Sequence, residues 1–232
     1  MPDDPTERPP AGIGTLGEKS LHAALKAWYS RPGDEFEVPV SGYIADLVRD
    51  GLLIEIQTRN FSAIRPKLAR LLEDHPLRLL HPIAGDRWIV HLGSDGRQQT
   101  RRKSPKHGRI LDIFNELVYI PDLIAHPNLA IEAVLIQEEE VRVESSRWSW
   151  RRRGWKSYDR RLLDVVDQAC FTTLQDFQNV LPDPLPDPFS NRDLASALNC
   201  SYNLAQKITY TLREAEALYL AGKRGNSLLY RR

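Results

Sequence analysis

The sequence predicts a mixed α/β fold in its N-terminal part, followed by a basic middle region and a helical C-terminal unit that ends in a hairpin. Three observations favour this fold. Apolar residues first recur at helical spacing, β-rich runs then flank the pair Asp50-Gly51, and helical spacing returns near the C-terminus. The chain has 232 residues, of which 41% are hydrophobic and 27% charged, so we expect a globular protein.

The N-terminal elements follow from local patterns. Leu21, Leu25 and Trp28 share one face of a helix, and Asp-Gly between two β-rich runs is a strong hairpin signal. Pro66 suits the first turn of a second helix. The predicted elements are a helix over 18–30, strands over 36–40, 42–49 and 52–57, a helix over 66–74, and strands over 77–81 and 87–92.

Beyond residue 92 the pattern changes. We expect a basic loop, a helix over 109–119, an extended segment over 129–145, and helices over 160–171 and 174–180. Helices over 191–198 and 202–215 and a basic hairpin tip at 222–226 end the chain. The predicted domains are a flexible tail (1–16), the αβββαβ unit (17–92), a basic middle domain with a winged-helix-like fold as one alternative (93–171), and a winged helix (172–232).

The formal net charge of +1 hides an uneven distribution. Residues 97–109 hold six basic residues and no acid, and residues 147–161 hold seven basic residues against Asp159 alone. Two basic blocks on an otherwise acidic chain indicate a polyanionic partner, although solvated loops are the alternative. The residues expected to contact nucleic acid in these blocks are Arg101, Arg102, Lys103, Arg151, Arg152, Arg153 and Trp155.

The predicted hairpin places carboxylates near each other. If Asp50-Gly51 is a two-residue loop, Asp46 lies opposite Glu55, and Gln57 points to the same face as Glu55. Opposed like charges in a sheet are unfavourable unless a cation lies between them, and Mg²⁺ prefers oxygen ligands. A metal site is therefore predicted, with solvated carboxylates as the alternative, and a one-residue slip would separate the two faces.

At these residues the sequence resembles the PD-(D/E)XK, or restriction-endonuclease-like, phosphodiesterases. Asp46 takes the place of the first acid, and Glu55-Ile56-Gln57 takes the place of the acid-x-lysine motif. The resemblance implies an αβββαβ nuclease-like core, one or two Mg²⁺ or Mn²⁺ ions on Asp46 and Glu55, and the Ile56 carbonyl as a further ligand. Gln57 departs from the lysine of the motif; some members with glutamine there remain active, and the family also has inactive members.

Glu18 is a further candidate catalytic residue, because many members of the family use a glutamate in the first helix. The run from Thr15 to Glu18 equally fits a capping box, in which the glutamate side chain caps the helix start. Both interpretations stay open.

The C-terminal unit resembles a winged helix, a fold whose second helix enters the major groove of DNA. Ser190 suits the cap of the first of its two helices, and the second helix has a polar face. Glutamine and arginine can read base edges, so DNA binding is predicted, with protein contacts as the alternative. The residues expected to contact DNA are Gln206, Lys207, Arg213, Lys223 and Arg224.

Three functions are consistent with these features. The first is a metal-dependent nuclease that cuts nucleic acid, most simply DNA. The second is a non-catalytic DNA-binding regulator on the same scaffold, and the third is a nucleotide-sensing protein. The chain lacks an apolar run long enough for a membrane helix, and its acidic, proline-rich start does not resemble a secretory signal. We therefore expect a cytoplasmic protein with no membrane partner, and we leave a homodimer open.

Overall fold

A computed structural model describes residues 19–93, 95–144 and 154–232. Its N-terminal elements follow the predicted order. They are helix α1 (Lys19–Tyr29), strands β1 (Glu35–Val40), β2 (Tyr43–Arg49) and β3 (Leu52–Ile56), and helix α2 (Arg65–Leu72). Asp50 and Gly51 between β2 and β3 have φ angles of 48° and 82°, which a tight two-residue turn requires. The predicted hairpin is therefore confirmed.

The next part of the chain is more extended than the sequence predicts. Two strands are predicted between residues 77 and 92, but one strand, β4 (Leu77–Leu92), runs through both. Gly85 lies at a shift of register between Ala84 and Asp86, so the glycine marks a bulge and not a turn. The predicted basic loop contains strand β5 (Gln98–Lys103), which pairs with the second half of β4.

The helix predicted over 160–171 is wrong, because these residues belong to strand β7 (Trp155–Phe171). The chain reaches β7 through a 3₁₀ turn (Ile110–Ile113), helix α3 (Phe114–Leu117) and strand β6 (Leu129–Glu144). Three shifts of register between β6 and β7 leave Tyr158, Leu163 and Val166 without a partner on β6. Each extra residue interrupts the alternation of a strand, so the apolar spacing imitates that of a helix.

These strands form one large mixed sheet. Its order is β1-β2-β3-β4-β6-β7, with β5 added to β4. The β1–β2, β2–β3 and β6–β7 pairs are antiparallel, and β3–β4 and β4–β6 are parallel. The expectation of a separate, winged-helix-like middle domain is not met, because β6 and β7 extend the sheet of the N-terminal unit across the predicted boundary at residue 92.

Helices cover the two faces of this sheet. The first, which we call the α1 face, packs Leu21 and Leu25 of α1 on Ile54, Val134 and Ile136. The second, which we call the α2 face, buries α2, α3 and the C-terminal unit. Its core contains Leu68, Phe114, Phe177, Leu194 and Leu212.

The C-terminal unit contains helix α4 (Leu174–Gln178), strand β8 (Phe189–Ser190), helices α5 (Asn191–Ala197) and α6 (Tyr202–Glu214), and strands β9 (Tyr219–Arg224) and β10 (Ser227–Arg231). Ser190 caps α5 as predicted, since its side chain accepts a hydrogen bond from the Asp193 N–H. The second sheet has the order β8-β10-β9. No helix in the described ranges is long and apolar enough to cross a membrane.

Candidate functional site

A cleft of about 1240 Å³ opens at the carboxyl end of β3, between α1 and α2. It forms there because β2 and β3 part after the Leu47–Ile54 pair, where their ladder ends. The cleft brings together four of the predicted site residues. These are Asp46, Glu55, Ile56 and Gln57.

Asp46 lies at the point where β2 and β3 separate. Its Oδ2 accepts a hydrogen bond from the Ile56 N–H at 2.9 Å and lies 3.1 Å from His22 Nε2. Lys26 Nζ lies 3.7 Å from Oδ1. The predicted pairing of Asp46 with Glu55 across the ladder does not form. The Asp46 carboxylate instead binds the backbone of β3.

These contacts favour the ionised form of Asp46. Burial disfavours a charged carboxylate, but the hydrogen bonds from His22 and from the Ile56 N–H outweigh burial. The pKa of Asp46 therefore lies below its usual value. An ionised carboxylate that lines a cleft can bind a cation or accept a proton.

Glu55 is the most enclosed carboxylate of the cleft, with 2% of its surface exposed. Lys67 Nζ forms an ion pair with its Oε1 at 2.6 Å. The same ammonium donates a hydrogen bond to the Ile44 carbonyl at 2.6 Å. Burial raises the pKa of Glu55 to about 7, although Lys67 opposes the shift. The cleft thus holds two carboxylates of different proton affinity.

Gln57 does not take the place of a cation. Its Nε2 donates to the Asn60 carbonyl at 2.9 Å, which ties the side chain to the following loop. Its backbone carbonyl lies 2.6 Å from His81 Nδ1. The positive charge beside Glu55 comes from Lys67. Glu18, the other candidate of the sequence analysis, lies outside the described residues.

Three cleft residues escaped the sequence analysis: His22, Lys26 and Lys67. The first two are four residues apart, so they lie on the same face of α1 and reach Asp46 together. Lys67 lies in the first turn of α2, directly behind the loop that follows β3. The i, i+4 spacing of His22 and Lys26 in the sequence indicates that the two side chains share a face of the helix. The contact of Lys67 depends on how α2 packs and has no signal in the sequence.

The donor set fits a hard divalent cation in part. Carboxylate and carbonyl oxygens are the ligands that Mg²⁺ prefers, and the buried Glu55 Oε1 has the Lys67 ammonium 2.6 Å away. Within the described ranges, however, no three His, Cys, Asp or Glu side chains cluster as metal ligands. A cation here would need the Asp46 and Glu55 carboxylates and a backbone carbonyl such as that of Ile56.

The predicted basic residues of the middle region lie on both faces of the sheet. Arg101 Nε lies 2.7 Å from Glu139 Oε1 and Lys103 Nζ lies 2.9 Å from Asp86 Oδ2, and both cations lie over the Trp88 ring. Arg102, between them, is exposed and belongs to the opposite face. The Trp155 ring stacks on the His91 ring at 4.0 Å. Residues 151–153 lie outside the described residues.

The C-terminal unit presents α6 in a groove of about 440 Å³ that also includes Val118, next to α3, and Tyr230 of β10. Gln206 is exposed in this groove, as the sequence predicts. Lys207 Nζ instead donates to Asn115 Oδ1 of α3 at 2.9 Å. Two further predicted contacts have acidic partners, since Arg213 pairs with Glu214 and Arg224 with Asp193. Lys223 is exposed.

Comparisons with known proteins cover the cleft but assign it no role. Residues 19–172 match the family described as "Domain of unknown function (DUF8091)". A protein of Treponema pallidum (strain Nichols), described as "Uncharacterized protein", is 32% identical over 224 residues, which are 95% of this chain and 87% of that protein. No solved structure matches. The family match contains the whole large sheet and ends one residue after β7.

Proposed function

This chain belongs to the DUF8091 family, and we propose that it is a metal-dependent nuclease that hydrolyses phosphodiester bonds of DNA in the cleft between α1 and α2. One observation carries the proposal. The Asp46 and Glu55 carboxylates and the Lys67 ammonium meet at the carboxyl end of β3. Two acids and a cation at this place are the groups that the resemblance to PD-(D/E)XK enzymes requires.

The arrangement of the elements supports the same proposal. The chain forms α1, β1, β2, β3, α2 and β4 in this order, and the four strands are neighbours in the sheet in the same order. The first three strands form an antiparallel meander, and β4 is parallel to β3. This order agrees with the αβββαβ core that the resemblance implies, with the candidate acids on the second and third strands, and it supports the proposal in that respect.

The residues of the cleft suit phosphodiester hydrolysis. Asp46, Glu55 and the Ile56 carbonyl would hold Mg²⁺ or Mn²⁺, which makes a bound water more acidic and offsets charge that develops on the phosphate. Lys67 keeps Glu55 in place and supplies positive charge near the scissile group. Lys26 and His22 orient Asp46 from α1. Gln57 fixes the loop that closes one side of the cleft.

The C-terminal unit supports DNA as the substrate. Its two helices and basic hairpin have the order of a winged helix, and Gln206 of α6 is exposed. Because α3 packs beside α6 and Lys207 bonds to Asn115, this unit is fixed on the catalytic body. DNA bound by the unit is thereby held in a defined position relative to the body.

The test is cleavage of supercoiled plasmid, linear duplex, single-stranded DNA and RNA, each with Mg²⁺, Mn²⁺ or EDTA. We expect metal-dependent cleavage by the wild type and loss of cleavage in Asp46→Asn and Glu55→Gln. Glu37→Gln is the matched control, because Glu37 lines the same cleft but its side chain is 73% exposed. Equal activity of Asp46→Asn and the wild type would refute the assignment of the site.

A second candidate function is DNA binding without catalysis. It is favoured by the ion pairs themselves, because both candidate ligands already have a basic neighbour in His22, Lys26 or Lys67. This candidate predicts DNA binding of the wild type without cleavage under any of the metal conditions.

A further inference from the structure

The large sheet extends well beyond the cleft. β3 ends at Ile56, opposite Leu80, whereas β4 continues to Leu92. At 3.3 Å per residue this extension spans about 40 Å. We call its outer part the arm and define the arm by residues 83–92 of β4, β5, residues 137–144 of β6 and residues 155–163 of β7. The arm therefore projects from the end of the sheet at which the cleft opens.

The two faces of the arm differ in how their cations are paired. On the α2 face Arg101, Lys103 and Arg161 each lie beside an acid of their own, namely Glu139, Asp86 and Asp159, and Lys156 lies on the same face. On the α1 face three arginines, Arg87, Arg142 and Arg160, share the two glutamates Glu138 and Glu140. Arg102 lies on the same face, opposite Ile89.

The acids of the α1 face lie beneath the arginines. The Glu138 side chain is fully buried and that of Glu140 is 10% exposed, whereas Arg87 is 36% exposed and Arg142 is 31% exposed. Arg102 is also exposed. The layer in contact with solvent above these two acids is therefore cationic, while Glu144, near the outer end of the arm, is an exposed acid on the same face.

This cationic layer continues to the cleft. Arg160 binds Glu138 through two nitrogens, and its Nη1 lies 3.4 Å from the Thr58 carbonyl. Thr58 and the neighbouring Arg59 line the cleft. On the α1 face of the arm the arginines thus extend from the cleft towards the stacked rings of His91 and Trp155.

We propose that the α1 face of the arm binds the phosphate backbone of duplex DNA on one side of the scissile bond. The inference rests on the proposed nuclease function, which identifies the cleft as the place of cleavage. Residues 83–92 of β4 span about 30 Å, which matches about nine base pairs at 3.4 Å per pair. The substrate is therefore a duplex that extends for about nine base pairs on one side of the cleavage site.

Two neighbouring arginines provide a matched test, because Arg102 belongs to the α1 face and Arg101 to the α2 face of the same strand. Binding is measured by fluorescence anisotropy with labelled duplexes of about 8 and about 20 base pairs in EDTA, over a range of salt concentrations. Arg102→Ala and Arg142→Ala should each lower the magnitude of the salt slope by about one for the longer duplex. Arg101→Ala should leave it unchanged, and the short duplex should bind weakly to all variants.

The outcomes separate this inference from the proposed function. Equal salt slopes for Arg101→Ala and Arg102→Ala would overturn the assignment of the face. Equal binding of the short and long duplexes would overturn the inference as well. Tighter binding of single-stranded DNA or RNA of the same length would also overturn it. Binding in EDTA does not depend on catalysis. A protein that shows the expected dependence on Arg102 but never cleaves DNA would support the arm and refute the nuclease. Thermal unfolding of each variant checks that it is folded.

Discussion

Lys67 Nζ of α2 lies 2.6 Å from Glu55 Oε1 of β3, so the cation beside Glu55 is carried by a helix and not by the strand motif. Gln57, at the position where the motif has lysine, bonds to Asn60 instead. The two positions are ten residues apart in the sequence, and they line the same cleft because α2 follows β3 directly. This relationship gives the first prediction.

Lys67→Met should lower the proposed cleavage by about 100-fold or more, because the cleft loses the positive charge beside Glu55. Gln57→Lys in the same chain should restore part of the rate, since it returns an ammonium to the cleft. The measurement is the initial rate of plasmid nicking with Mg²⁺ or Mn²⁺. Arg70→Met is the control, because Arg70 lies on the same helix and pairs with Glu73 on the surface.

The double variant Lys67→Met/Gln57→Lys decides between two roles of Lys67. If Lys67 only stabilises the fold around Glu55, the lysine at position 57 should change the melting temperature and not the rate. If the double variant recovers the cleavage rate but not the melting temperature, the loss of charge explains the lower rate of Lys67→Met. A rate of the Lys67→Met variant equal to that of the wild type would exclude Lys67 from the reaction.

His81 should make the protein less stable in weak acid. Burial, with Arg160 nearby, lowers the pKa of His81 to about 4, and its ring meets the Phe61 ring edge-on at 5.0 Å. The unfolded chain therefore binds more protons between about pH 4 and the usual histidine value near 6.5. Stability from this group is complete above pH 6.5 and is lost as the pH falls towards 4.

The difference between the wild type and His81→Gln isolates this effect. Denaturant unfolding at about pH 7 and about pH 5 should show a loss in the wild type that is larger by about 1 kcal/mol. We expect no more, because the ring keeps partial exposure. Glu55 acts in the opposite direction, since its raised pKa favours the folded state as the pH falls. Because both proteins contain Glu55, its contribution cancels in the difference between the wild type and His81→Gln. An identical pH dependence of both proteins would contradict the expectation.

Glu138 should be much more important for stability than its neighbour Glu139. Glu138 is fully buried, and Arg87 Nε and Arg160 Nη2 each lie 2.6 Å from its carboxylate. Glu138→Ala leaves the Arg160 guanidinium without its acid and Arg87 with only its 3.4 Å contact to Glu140, which should cost about 3 kcal/mol in free energy of unfolding. Glu139→Ala removes a partly exposed pair with Arg101 and should cost about 1 kcal/mol or less. Chemical denaturation of both variants measures the difference.

Gln206 should affect sequence preference more than overall affinity. Its side chain is exposed in the groove of α6, and a glutamine can pair with an adenine edge. Gln206→Ala should therefore relax a preference measured by selection from random duplexes, with little change in the salt slope. The control is Lys223→Ala on the hairpin, which should lower the slope by about one and leave the preference unchanged. The opposite pattern would exclude α6 from base recognition.

The arginines at 151–153 lie outside the described residues, so their role stays a prediction from the sequence. Replacing all three with alanine should lower the magnitude of the salt slope by about two to three, close to one for each lost phosphate contact. An unchanged slope would leave this segment as a solvated loop.

The sequence by itself determined the elements whose signals are local. The Asp50-Gly51 turn specified the β2–β3 hairpin, and the predicted pairs of Leu47 with Ile54 and Val48 with Leu53 form as expected. The cap at Ser190 and the apolar spacing of Leu204, Ile208 and Leu212 likewise identified α5 and α6. Turn chemistry, capping and periodicity act over a few residues, so they can be recognised without knowledge of the fold.

Only the tertiary structure decided how distant segments meet. β7 is a strand because β6 pairs with it through three bulges, which no local pattern revealed. Asp46 turned from its expected partner Glu55 to the Ile56 N–H, because β2 and β3 separate where α1 and α2 enter. The approach of Lys67 to Glu55 likewise depends on the packing of α2. Such contacts arise from the balance of burial, hydrogen bonding and charge in the folded chain, and spacing along the sequence does not encode them separately.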